Sequence, residues 1–344
     1  MSHYDYLKEI TRAALRNDNK KLKKNVRGLI DYSKKINKHN FALEMQSILK
    51  ENWQKKAVNS GATFHNRITE ALPIEDGALN DLILEKLSSE YSFDDLISEQ
   101  SIKDSLKLFV KEQQNFEYLK KFELPVSNKV FLHGPSGCGK TLAAYVLAGE
   151  LDRPMYVVNV GAIVSSKLGE TSKNLSRLFQ KAARNECILF FDEFDTLAKL
   201  RDYSQDHAEM KRVVNTFLQL FDYLPQHVVL IAATNHSHMI DSALLRRFDT
   251  KLKLDLPNQN QIKQLIDKTL DAGSFSLDKK EKLNKIIKSA KGLSYYSVQR
   301  TLINAIKSSL FDLEKKTTHL NPTIKTDYWL DLIEEEKKQQ FINS

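Results

Sequence analysis

The sequence predicts an α/β fold: a five-stranded parallel sheet wrapped by helices, a helical region after it and a small helical bundle before it. Three observations carry that expectation. Short β-rich apolar runs alternate with helical stretches between residues 130 and 256. After Pro257 no strand signal is convincing and helical patterns take over. Before residue 57, apolar residues recur about every 3.6 positions on strongly charged segments.

The five runs are "VFLHG" (130–134), "MYVVNV" (155–160), "CILFFDE" (187–193), "VVLIAAT" (228–234) and "KLKLDL" (251–256). Strand, helix, strand repeated in this way argues for a parallel sheet covered on both faces. Upstream, "SFDDLISEQSIKDSLKLFVKEQQNFEYLKKF" reads as a capped start and a long amphipathic helix. Downstream, "QNQIKQLIDKTLDAG", "SLDKKEKLNKIIKSAKG" and "SYYSVQRTLINAIKSSLFDLEKK" read as helices ending at Gly or Lys. At the start, Tyr6, Ile10 and Ala13 share one helical face. Leu22, Val26, Leu29 and Ile36 share a second, and Phe41, Met45, Ile48 and Leu49 a third. The breakers "NSGAT" and "LPIEDG" mark a linker. The expected organisation is a basic helical domain over 1–56, a linker over 57–91, an α/β part over 92–257 and a helical part over 258–344.

Bulk properties narrow the class. A chain of 344 residues has ample length to bury a core. Its 41% hydrophobic content fits a soluble protein, as does its mean hydropathy of −0.44. The longest apolar runs are too short to span a bilayer, and no secretory h-region opens the chain. Cys138 and Cys187 make no disulfide framework. A reducing, cytoplasmic setting is therefore expected. Residues 1–60 carry 14 Lys and Arg against 6 Asp and Glu, while the remainder carries 38 of each. The basicity belongs to the N-terminal segment, which can face an acidic partner, nucleic acid, an anionic membrane surface or simply solvent.

"GPSGCGKT" (134–141) fits G-x-x-x-x-G-K-[ST], after an expected strand and before an expected helix. In the loop of Gly134, Pro135, Ser136, Gly137, Cys138 and Gly139, backbone N–H groups around Gly137, Cys138 and Gly139 can wrap phosphates. Lys140 supplies a point charge to the β- and γ-phosphates of ATP, and Thr141 can ligate Mg²⁺. "CILFFDEFD" (187–195) ends an apolar strand in acids. Asp192 is placed to hold the Mg²⁺ water shell, and Glu193 can polarise an attacking water. "IAATN" puts Asn235 at another strand end, where it can orient that water. "LLRRF" places Arg246 beside Arg247; the plain reading is a solvated basic turn.

In this order the motifs resemble the AAA family of ATPases over residues 92–335. The resemblance implies a P-loop AAA core and a helical lid. "LLRRF" looks like the arginine-finger segment of the katanin and spastin branch, so Arg246 and Arg247 would reach a neighbour's γ-phosphate in a ring, typically a hexamer. "VSSKLGETSKNLSRLF" (164–179) resembles the central pore loop, with Leu168 and Gly169 in pattern and Lys167 where family members carry an aromatic. "GLSYYSVQR" (292–300) stands where many members have a Ser-Gly-Ala-Asp turn; Tyr295 and Tyr296 depart from it, and Arg300 is a candidate lid arginine. As a whole the chain is similar to bacterial AAA ATPases encoded beside subtilisin-like serine proteases. It carries no H-E-x-x-H and no G-x-S-x-G, so proteolysis would need a partner.

Three functions stay open at this point: a ring that remodels protein or feeds a partner protease, an ATP-controlled assembly switch that does not thread, and a nucleic-acid-directed ATPase. Cys138 has two readings: the plain one is a small residue that merely fits the loop; the other is a thiol at a helix N-terminus with a lowered pKa that reacts with oxidants.

Overall fold

The computed structural model describes residues 6, 8–12, 25–26, 29, 68–69, 82–165, 168–196, 207–273, 275–313 and 323–342. The chain divides into two units, Met1–Asn66 and Arg67–Ser344. In the first, residues 8–12, 25–26 and 29 are helical. Val26 and Leu29, two positions of the expected apolar stripe, are buried. The rest of the expected bundle lies outside the described residues.

The second unit is built on one sheet. Its strands are β1 (Ile68–Thr69), β2 (Ile83–Ser89), β3 (Lys129–His133), β4 (Met155–Val158), β5 (Ile188–Phe191), β6 (Val229–Thr234) and β7 (Thr250–Lys253). Their spatial order is β1-β2-β4-β5-β6-β3-β7. From β4 to β7 every pairing is parallel, which is the expected five-stranded sheet. Two antiparallel strands extend it beyond β4. Strand β2 falls in the stretch read as linker, so the α/β part starts before residue 92. Its burial alternates weakly and breaks at a bulge between Ile83 and Glu85, which hid it from a periodicity reading.

The central strands are apolar throughout because both faces are covered. In β5, Ile188 and Phe190 pack with Val130, Leu132, Val229 and Ile231 on one face. Leu189 and Phe191 pack with Phe131, Leu230 and Ala232 on the other. Helices α1 (Gln100–Gln114) and α3 (Lys140–Leu151) cover the first face, and α5 (Leu168–Ala183) and α6 (His207–Asp222) the second. Fully burying one such side chain is worth about 1.5–3 kcal/mol. The upstream helix is not one long rod. It stops at Asn115, whose Nδ2 donates to the Lys111 carbonyl at 2.7 Å, and α2 (Phe116–Lys120) follows. Nor does a side chain cap its start: Glu99 stands at the N-cap without such a bond. Helix α4 (Val160–Ser165) and the one-turn α7 (Ser242–Leu245) complete this part.

The C-terminal part contains α8 (Gln259–Gly273), α9 (Leu283–Ser289), α10 (Tyr295–Leu313) and α11 (Thr326–Ile342). Asn258 and Gln261 cap α8 reciprocally, each side chain accepting the other's backbone N–H at 2.9 Å. Trp329 is fully buried in this third core and donates to Thr301 Oγ1 at 3.2 Å. The expectation of no strand after Pro257 is corrected by a short parallel pair, β8 (Ser276–Leu277) and β9 (Thr323–Ile324). Two residues per strand are too few to give a periodic signal.

Candidate active site

The loop between β3 and α3 holds residues 134–141. Gly134 has φ +140°, and a Cβ there would lie 2.0 Å from the Leu254 carbonyl oxygen. Gly139, the N-cap of α3, has φ +88°. Both positions demand glycine, the first for space as well as conformation. The loop therefore delivers the N-terminus of α3, with its unpaired N–H groups, to the end of the sheet. Lys140 Nζ donates to the carbonyls of Gly134 and Pro135 at 2.9 and 2.8 Å, so the ammonium sits inside the loop. Burial lowers its pKa.

Thr141 Oγ1 donates to Asp192 Oδ2 at 3.0 Å, joining the start of α3 to the end of β5. The other oxygen, Asp192 Oδ1, accepts the Glu193 N–H at 2.9 Å. Glu193 is exposed and has φ +50°, a conformation that strains any residue but glycine. Phe194 follows it into the core against Phe191, Phe217 and Phe248. Its N–H donates to the Ala233 carbonyl at 2.9 Å. Lys140, Thr141, Asp192 and Glu193 thus come together, and Asn235 lies exposed at the neighbouring end of β6.

The arginine pair directly follows α7. Asp241 caps α7 by accepting the Ala243 N–H at 2.6 Å. Phe248 buries against Phe131, Phe194 and Phe221, which fixes the chain after α7. Between these anchors Arg246 is exposed, while Arg247 is half-buried and bonded to Asp222 at 2.7 Å and to the Ala243 carbonyl at 2.9 Å.

The C-terminal part touches the loop. Tyr296 N–H donates to the Gly137 carbonyl at 3.2 Å. A Cβ on Gly137 would stand 2.6 Å from Ser294 Oγ. Arg300, the candidate lid arginine, forms an ion pair with Glu336 and lies 5.7 Å over the Tyr296 ring. Of the two readings of Cys138, burial favours the small packing residue over the reactive thiol. The residue is 2% exposed, and burial raises its thiol pKa against the opposing pull of Lys140. The dipole of α3 faces the loop, but the side chain turns into the core. Of the pore-loop segment, Lys167 lies outside the described residues; Leu168 and Gly169 open α5. Sequence reading missed Asp195, Thr234 and Asp222. The first stood in view as the last letter of "DEFD".

Thr141 and Asp192 offer a hydroxyl and a carboxylate side by side, the hard oxygen donors that Mg²⁺ prefers. A loop of N–H groups with a buried ammonium suits a polyphosphate. The fold and this site define a P-loop nucleotide-binding protein. Residues 130–256 match the family described as "ATPase family associated with various cellular activities (AAA)". An AAA family ATPase of Sinorhizobium fredii, itself uncharacterized, is 33% identical over 245 residues, 71% of this chain and 72% of that protein. A 26S proteasome regulatory subunit homolog of Methanocaldococcus jannaschii is 30% identical over 205 residues, 59% of this chain and 54% of the relative. The crystal structure of the FIGL-1 AAA domain superposes with a TM-score of 0.59 at 19% identity, over 73% of this chain and 85% of that one; this shows the fold. The chain belongs to the AAA family of ATPases.

Proposed function

We propose that this ATPase works as a ring that remodels a protein substrate or drives a partner protease. The observation that carries the reading is Arg246: an exposed guanidinium, fixed between a helix cap and a buried phenylalanine, while its own subunit's phosphate loop already holds Lys140. Such a group serves the γ-phosphate on a neighbouring subunit. The name of the archaeal relative, a proteasome regulatory subunit homolog, supports a proteolytic partner, and the 344 residues here contain neither H-E-x-x-H nor G-x-S-x-G. The subtilisin-like identity of the protease follows from resemblance alone. Among the described residues no helix is long and apolar enough to cross a membrane.

In this reading the N–H groups at the start of α3 bind the phosphates of ATP, and Lys140 turns from the loop carbonyls to the β- and γ-phosphates. Thr141 and Asp192 would hold Mg²⁺, whose charge neutralises the phosphate oxygens when bound. Glu193 takes a proton from water as the water oxygen bonds to the γ-phosphorus, and the bond to ADP breaks. Asn235 orients that water. Arg246 and Arg247 form the finger segment, Arg246 reaching across and Arg247 bracing it. The basic N-terminal segment serves as the docking module.

A second reading, a switch that assembles on ATP without threading, is favoured by Lys167 where the family's pore aromatic stands. The test is ATPase activity with unfolded protein or duplex DNA, beside capture of bound protein by Glu193→Gln. Remodelling expects stimulation by unfolded protein and a captured protease or substrate. Stimulation by DNA alone contradicts it, and insensitivity to both with a stably captured effector selects the switch.

A further inference from the structure

Asp195 is 5% exposed and Thr234 is 1% exposed, yet both are polar. Thr234 Oγ1 donates to Asp195 Oδ1 at 2.7 Å and accepts the His236 N–H at 2.9 Å. The directions are fixed by chemistry. A hydroxyl has one proton, the backbone N–H can only donate, and the carboxylate can only accept. Asn235, between Thr234 and His236, is thereby locked in a side-chain-closed turn. One residue earlier on each strand, Phe194 N–H donates to the Ala233 carbonyl at 2.9 Å. Two consecutive bonds, 194 to 233 and 195 to 234, therefore staple the end of β5 to the end of β6.

Glu193 directly precedes the first of these bonds and Asn235 directly follows the second. Glu193 keeps its strained φ of +50° because its neighbours over-determine it. Its N–H meets Asp192 Oδ1, its carbonyl accepts Thr196 N–H at 2.9 Å, and Phe194 is pinned. A buried carboxylate is a costly way to fill this space; an apolar side chain would fill it without desolvating a charge.

We propose that Asp195 and Thr234 are positioning residues for ATP cleavage. Their hydrogen bond sets Glu193 against Asn235 so that both address one water. Neither touches ATP. The proposal rests on the assignment of Glu193 as the base.

The test uses the full chain with Mg²⁺ and ATP. Single-turnover cleavage, binding of a fluorescent ATP analogue and thermal melting are measured for Thr234→Val, Thr234→Ser and Glu193→Gln. Thr234→Val keeps shape and loses the hydroxyl. It is expected to lower the cleavage rate by about 10- to 100-fold, with analogue affinity within about twofold of wild type, and Thr234→Ser is expected to restore most of the rate. Thr234→Ala answers the same question should the valine variant not fold. A folded valine or alanine variant that cleaves at the wild-type rate overturns the proposal, as does a serine variant no better than valine. If Glu193→Gln itself cleaves at the wild-type rate, the assignment of the base is what fails.

Discussion

Arg247 Nε donates to Asp222 Oδ1 at 2.7 Å, tying the segment after α7 to the C-terminal end of α6 within one subunit. That bond raises the Arg247 pKa, and the side chain also donates to the Ala243 carbonyl. Two guanidiniums adjacent in sequence thus have different surroundings: one is braced, the other faces solvent.

The difference sets an order of effects. Arg246→Ala should bind ATP almost normally and lose turnover by about 10³–10⁵-fold, the range for a finger in other nucleotidases. Arg247→Ala should lose less turnover and also a little stability, about 0.2–1 kcal/mol for a surface ion pair that solvent partly screens. Steady-state kinetics and melting of each variant check this. Mixing Arg246→Ala with Lys140→Ala, once subunit exchange is shown by labelling, should recover activity in trans. Equal turnover loss in both arginine variants would remove the distinction.

The phosphate loop, the acids after β5 and the five parallel strands were legible because each depends on local chemistry: glycine spacing, a strand ending in acids, unbroken apolar runs. The relations between strands were not. Asp195 with Thr234 and Arg247 with Asp222 join residues far apart in the chain, and no periodicity marks such a pair. Strand β2 escaped because a bulge breaks its alternation, and β8 and β9 because they are too short. The two readings of Cys138 could not be separated in the sequence, since helix position was visible and burial was not.

Cys138 should behave as an inert packing residue. Burial raises its thiol pKa, so the thiolate needed for attack is scarce. Alkylation of the native enzyme, followed by mass spectrometry, should leave Cys138 unmodified until the protein is unfolded. Rapid native labelling at Cys138 with loss of ATPase activity would restore the reactive reading.

His133 ends β3, half-buried, beside Lys253 at the end of β7, Asp255 just beyond it and Lys140 in the loop. Burial and the two lysines depress its pKa below the ordinary 6.5, against the opposing pull of Asp255. The folded state therefore disfavours the protonated ring. This contribution to stability is complete above the unfolded value and is lost as pH falls through the folded one. Melting temperature should drop as pH falls below the ordinary histidine value of 6.5, and His133→Gln should flatten that drop. An unchanged slope in the variant would exclude His133 as a source.

Gly137→Ala would bring a methyl within 2.6 Å of Ser294 Oγ and 2.9 Å of the Tyr296 Cβ. The C-terminal part must then shift off the loop. ATP affinity should fall while the sheet stays folded, which binding of a fluorescent ATP analogue and circular dichroism together would show. Wild-type affinity in a folded variant would mean the contact carries no role in binding.

The most direct test of the account is single-turnover release of phosphate from ATP by wild type, Lys140→Ala and Glu193→Gln, each with its ATP affinity. Lys140→Ala should fail to bind, because the charge inside the loop is gone. Glu193→Gln should bind as wild type does and cleave about 10²–10⁴-fold more slowly, since only water activation is removed. Cleavage by Glu193→Gln at the wild-type rate, with binding intact, would contradict the central assignment.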